Sequence, residues 1–123
     1  MLNPAVVFAD SVRGVKKNLK ADVTDAENTT DSNDGMASFD SNGFTLTEDN
    51  DDHGYNASSS SQVSWNWLAG GSASSNTDGT ETSTVSANTT AGFSIMTYAG
   101  TTAVDTYGHG LSQKPDMKLE MSY

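Results

Sequence analysis

Gln62-Val63-Ser64-Trp65-Asn66-Trp67-Leu68-Ala69-Gly70-Gly71 is the stretch that decides how the chain reads. Val63, Trp65 and Trp67 alternate with Ser64, Asn66 and Leu68, which is the period-2 signature of a strand with two unlike faces. Two indoles on one face bring more apolar area than any other segment of the sequence. The pattern predicts a strand that anchors a core, ended by Gly70-Gly71.

Outward from this stretch, the same period recurs. Residues 92–100 (Gly-Phe-Ser-Ile-Met-Thr-Tyr-Ala-Gly) set Phe93, Ile95 and Thr97 opposite Ser94, Met96 and Tyr98. Residues 36–47 read as strand, turn, strand, with Asn42-Gly43 as the hairpin signal because both residues tolerate positive φ. Residues 5–9 (Ala-Val-Val-Phe-Ala) form a short β-branched and aromatic run, followed by a turn at Asp10 to Gly14. A last strand is expected from Met117 to Tyr123, with Met117, Leu119 and Met121 on one face. Glu81 to Ala87 alternates weakly and reads as an edge strand or an extended linker. Asp22 to Gly35, Glu48 to Ser61 and Gly71 to Gly79 are rich in turn formers and read as loops. A helical period holds over three turns nowhere, so the class is all-β.

Composition narrows the partners. Only 34% of the 123 residues are hydrophobic, so the core is either thin or completed by neighbours. Six Lys and Arg against sixteen Asp and Glu give a formal charge of −10. Nucleic acid needs a basic footprint that this chain lacks, and anionic membrane surfaces are disfavoured for the same reason. Lys16, Lys17 and Lys20 carry half of the positive charge and read as a solvated strand or loop edge before a cationic patch. No apolar run approaches the roughly 20 residues of a membrane helix, and no basic-then-apolar leader pattern is present. Without cysteine there are no disulfides or thiolate metal sites. The sequons at Asn28, Asn56 and Asn88 are what chance supplies in a chain so rich in Asn, Ser and Thr.

Several blocks are more particular: Phe8-Ala9-Asp10-Ser11-Val12-Arg13-Gly14, Thr24-Asp25-Ala26-Glu27, and Ser38-Phe39-Asp40-Ser41-Asn42-Gly43-Phe44-Thr45-Leu46. Trp67-Leu68-Ala69-Gly70-Gly71, Asn76-Thr77-Asp78-Gly79 and Thr84-Val85-Ser86-Ala87-Asn88 come next. Ala91-Gly92-Phe93-Ser94-Ile95 and Gly108-His109-Gly110-Leu111 with Pro115-Asp116-Met117 complete the set. In this order they resemble repeated β-sandwich domains of marine bacteriophage tail-fibre and virion structural proteins, which look like the concanavalin A-like lectin/glucanase jelly roll. The resemblance spans nearly the whole chain. It departs where Asn66 stands for the family's cysteine and Leu68 for its lysine.

The phase also departs. The segment that closes a repeat in the family (1–71) here precedes the segment that opens one (91–123), with 72–90 as a linker. The resemblance therefore implies an antiparallel jelly-roll-like β-sandwich that is permuted, strand-swapped between copies, or a fragment whose edges need a partner. It implies a virion location, contacts with other virion proteins, and self-association.

Asp49, Asp51 and Asp52 offer oxygens for calcium, yet the loop lacks the EF-hand glycine and terminal glutamate, so a solvated loop is the plainer reading. No other cofactor is implied. His109, between two glycines and near Asp105 and Asp116 in sequence, has no nucleophile of defined motif beside it and reads as part of a turn. His53 lies inside the acidic loop, which would favour its charged form. No Glu-x-Asp-x-Glu-like strand pattern marks a glycosidase. Trp65, Trp67, Tyr98 and Tyr107 could make a sugar-stacking platform, although alternating tryptophans more often belong to a core. The expectation is a non-enzymatic virion structural module: fibre, decoration or cement. The alternative is a lectin-like adhesion module that recognises host surface glycans.

Overall fold

A computed structural model describes residues 6–21, 24, 26–29, 35–47, 56 and 58–122. The chain is all-β, and no helix occurs among the described residues. It divides into two compact units, Met1–Ser64 with Glu120–Tyr123, and Trp65–Leu119.

The described residues of the first unit form two small antiparallel sheets. β1 (Val7–Phe8), β2 (Lys17–Lys20) and β3 (Asn28–Thr29) lie in the order β1-β2-β3. Phe8 pairs with Leu19 and Val7 with Lys20. The lysine segment is thus the middle strand, not the expected edge, because a strand follows on each side of it. Leu19 and Asn18 are buried while Lys17 and Lys20 reach outward.

β4 (Met36–Asp40) and β5 (Gly43–Leu46) form the expected hairpin. Its turn is not the expected one. Asp40 pairs with Gly43, so Ser41 and Asn42 make the corner, and none of Ser41, Asn42 or Gly43 has a positive φ. Side chains hold the corner instead: Asp40 accepts from Ser38 Oγ and from Thr45 Oγ1, both at 2.8 Å. A bulge at Ala37 shifts the register between Met36 and Ser38.

The second unit holds β6 (Ser74–Asn76), β7 (Ser83–Asn88) and β8 (Phe93–Thr97), in the order β6-β7-β8. Residues 72–90 therefore contain two strands inside the expected linker, and the 81–87 stretch, read as an edge strand or an extended linker, supplies β7, the central strand of its sheet. Its weak apolar pattern has a physical reason, since backbone and not side chains covers both its faces. On one face Ser83 Oγ donates to Gly108 O at 2.8 Å, and Gly110 lies against Val85 and Ala87. On the other, Ser86 Oγ donates to Gly71 O at 2.7 Å and Asn88 Nδ2 to Leu68 O at 3.2 Å. Small hydroxyl side chains let these two straps approach closely, and each hydroxyl satisfies a strap carbonyl.

Two expected strands are absent. Residues 62–71 and 117–122 lie outside every strand, and both tryptophans are exposed where burial was expected. The carbonyls of Leu68 and Gly71 bond to Asn88 and Ser86 side chains, so this end of the segment crosses over the sheet and does not join its ladder. Met117 and Leu119 are likewise exposed. Among the described residues, only Leu19 and Val85 are buried apolar side chains.

Candidate functional site

The four aromatic residues singled out in the sequence all belong to the second unit, but they do not form one platform. Trp67 stacks on Phe93, the first residue of β8, with ring centres 5.9 Å apart and planes 18° apart. Tyr98, just past the other end of β8, packs on Tyr107 with ring centres 4.2 Å apart. Phe93 and Tyr98 are five positions apart on an extended chain, roughly 16 Å, and an odd spacing sends them to opposite faces. Two aromatic pairs therefore sit at opposite ends and faces of one strand.

The tyrosine pair is tied down. Tyr107 donates its hydroxyl to Ala99 O at 2.9 Å, and Lys118 Nζ lies 5.7 Å from the centre of the Tyr98 ring. A cation over that face competes with any sugar that would stack there. Loss of hydration raises the Tyr107 phenol above its ordinary value, and the carboxylates of Asp105 and Glu81 push the same way. The segment that carries Tyr107 is locked to the start of β7: Thr80 N donates to Thr106 Oγ1 and Thr106 N to Thr80 Oγ1, each at 2.9 Å. Asp105 also accepts from Thr101 Oγ1.

The tryptophans are freer. Trp65 is 68% exposed, Trp67 62% and Leu68 76%. Ala69-Gly70-Gly71 then presses onto the backbone of Ala87, where a Cβ at position 70 would overlap the Ala87 carbonyl. That close approach fixes where the exposed indoles are presented.

Asp49, Asp51, Asp52 and His53 lie outside the described residues. Among the described residues no three His, Asp or Glu side chains converge on a metal-sized site. His109 Nδ1 accepts from Leu111 N at 3.0 Å, which makes it a turn-closing group.

One constellation was not foreseen. Arg13 Nε meets Asp10 Oδ2 at 2.6 Å, its Nη1 meets Glu27 Oε1 at 3.0 Å, and Lys17 Nζ reaches Glu27 Oε2 at 3.2 Å. Arg13 and Glu27 are almost wholly buried. Asp10 Oδ1 also accepts from Val12 N and Arg13 N, closing the turn in which Gly14 takes a φ of 108°. The Asp-Ser-Val-Arg-Gly and Thr-Asp-Ala-Glu blocks are the two halves of this ion network, a pairing that no periodicity reveals.

The comparison with family models decides the chain's kinship: the model for a domain of unknown function, DUF7483, matches residues 3–122. The chain belongs to the DUF7483 family. No curated protein and no solved structure matches it. In this DUF7483 domain, then, Trp65, Trp67 and Leu68 stand exposed beside the Gly70 crossing and the Phe93 ring.

Proposed function

We propose that this DUF7483 domain is a bacteriophage virion structural module, used as a fibre, decoration or cement element and working through assembly contacts. The observation that carries this reading is the imbalance between core and surface. Two apolar side chains are buried among the described residues, while Trp65, Trp67, Leu68, Met117 and Leu119 are exposed. A chain that hides so little of its own apolar surface suits an assembly in which neighbours cover the rest. The sequence resemblance to tail-fibre and virion sandwich repeats points the same way, and the jelly-roll sandwich it implies belongs to this proposal. Neither catalysis nor a cofactor is part of it, and the virion is the expected location. Size-exclusion with light scattering on the intact chain tests the reading. A concentration-dependent oligomer, or stable binding to another virion protein, supports it; a strict monomer that binds neither overturns it.

A second reading, glycan adhesion, draws on the exposure of both indoles, since an open aromatic face suits the apolar face of a pyranose. Quenching of tryptophan fluorescence by a host polysaccharide, lost in Trp67→Ala, would favour it over assembly.

A further inference from the structure

We propose that Asn42-Gly43, at the corner of the β4-β5 hairpin, is a self-modification site: Asn42 sheds its side-chain amide, becomes aspartate and isoaspartate, and the isoaspartyl product opens the hairpin. The dipeptide reads as a turn former, yet the fold makes no use of that property, since neither residue has a positive φ. A second property remains. Asparagine followed by glycine is the pair in which the backbone most readily reaches back to the side chain, because glycine puts no Cβ beside its own nitrogen.

Sequence and structure single out position 42. It starts the one Asn-Gly dipeptide of the chain. Asn42 is exposed, and its side chain has no hydrogen-bond partner among the described residues, the corner being held by Ser38, Asp40 and Thr45. Other asparagines are tied. Asn76 donates Nδ2 to Asp78 Oδ2 and accepts Asp78 N on Oδ1, while Asn88 donates to Leu68 O and accepts from Ala91 N. Both precede a β-branched threonine, which crowds the approach.

The nucleophile is equally open. A Cβ built on Gly43 meets nothing within 4 Å, whereas one on Gly79, in the related Asp78-Gly79 pair, would overlap the Thr106 carbonyl. Among the described residues β4 and β5 form a sheet of two strands alone, and such a ribbon is marginal. Local opening at its tip frees Gly43 N from the pairing with Asp40.

The step consumes water and releases ammonia. Gly43 N gives its proton to solvent base and attacks Asn42 Cγ. The N–Cγ bond forms, the Cγ–Nδ2 bond breaks, and Nδ2 takes up a proton and leaves as ammonia, which closes a succinimide. Water then opens the ring. Addition at Cγ gives aspartate; addition at the backbone carbonyl gives isoaspartate, in which the chain runs through the former side chain. One added carboxylate takes the formal charge from −10 to −11. The isoaspartyl form also adds a carbon to a corner made of Ser41 and Asn42, which disrupts the register pairing Asp40 with Gly43 and Phe39 with Phe44.

The test incubates the full 123-residue chain at neutral and mildly alkaline pH. Peptide mass spectrometry follows it, with fragmentation that tells β-linked from α-linked aspartyl residues. The expected result is an amide-to-acid mass change at Asn42, faster at higher pH and well ahead of any at Asn76 or Asn88. Gly43→Ala should slow it at least about tenfold. The far-ultraviolet spectrum should not change, because position 43 has open space and no positive φ. After conversion, amide exchange at Phe39 and Thr45 should quicken about tenfold or more. Freshly purified Asn42→Asp, which adds the charge without the carbon, should stay close to wild type. An Asn42 that stays intact, converts no faster than Asn76 and Asn88, or converts equally fast in Gly43→Ala would overturn the site. Conversion without faster exchange, or Asn42→Asp opening the hairpin as fully, would overturn the isoaspartyl opening.

Discussion

At the scale of single residues, Arg13 is the position on which most hangs. Its guanidinium joins Asp10, Glu27 and the carbonyl of Phe8, and so ties the turn after β1 to the approach to β3. Removing one member of a buried ion pair costs about 3–5 kcal/mol when the other is left unmatched, but here Glu27 keeps Lys17 and Asp10 keeps two backbone N–H donors, so the loss falls to about 1–3 kcal/mol. Arg13→Ala should destabilise the first unit by about that amount in urea titration. Arg13→Lys should recover only part of it, because an ammonium cannot span two carboxylates with the same fork. Equal stability of Arg13→Lys and wild type would show that charge alone is at work. Tyr107 makes a different kind of prediction. Its phenol is raised in the folded state by lost hydration and by Asp105 and Glu81. A folded chain that holds its proton more tightly than the unfolded one gains stability below the ordinary tyrosine range, about pH 10, and loses it as pH climbs through the raised value. Wild type should therefore lose alkaline stability more steeply than Tyr107→Phe, as read from melting temperatures between about pH 9 and 11. Parallel slopes would count against this assignment.

At the scale of elements, the straps over β7 decide what the second unit can tolerate. Gly70 passes so close to the Ala87 backbone that a methyl group there would overlap it, and no flexible side chain can move aside to relieve the clash. Gly70→Ala should thus lift the strap, break the Ser86–Gly71 and Asn88–Leu68 bonds, and speed amide exchange at Ser86 and Asn88 by tenfold or more, about 1.4 kcal/mol or above. A neighbouring control, Ser72→Ala at an exposed position, should leave exchange unchanged. This geometry also shows why some elements were legible in the sequence and others were not. The β4-β5 hairpin and β8 announce themselves because alternation and turn residues are local signals. β7 is nearly silent because its partners are glycine backbones, which place serine and alanine where a reader looks for leucine. The tryptophan segment sends the opposite signal, since its alternation describes a strand where the end of the segment instead crosses over β7. Trp65, Trp67, Tyr98 and Tyr107 could be named as candidates, but not the pairing of Trp67 with Phe93 and of Tyr98 with Tyr107, which depends on where β8 begins and ends. The Arg13 network was hidden for a related reason. Its partners are fourteen positions apart, and the spacing is set by a turn, a middle strand and a loop together.

At the scale of the whole molecule, charge and apolar burial are unevenly spread, and their balance can be tested with salt. The first unit carries −8 of the net charge and, among its described residues, buries one apolar side chain, Leu19. The second unit carries −2 (Asp78, Glu81, Asp105 and Asp116 against Lys114 and Lys118) and buries Val85 beneath the strap that carries Gly110. Self-repulsion destabilises a compact state in proportion to its excess charge, so it weighs on the first unit far more than on the second. The screening length falls from roughly 30 Å at 0.01 M salt to about 3 Å at 1 M, which removes repulsion between exposed carboxylates but reaches a buried pair much less. The Arg13–Glu27 bridge is of the buried kind, so added salt should relieve the first unit's repulsion and leave its main ion pair in place. Amide exchange at Leu19 in β2 should therefore slow markedly between about 0.01 M and 0.5 M sodium chloride. Exchange at Val85 in β7 should change little over the same range. If the Leu19 amide exchanges faster in salt, the Lys17–Glu27 pairing, half exposed on its lysine side, outweighs the repulsion, and the surplus of carboxylates is not what limits this unit. If both amides slow equally, the effect belongs to apolar burial strengthened by salt, and the uneven distribution of charge has no mechanical consequence for the fold.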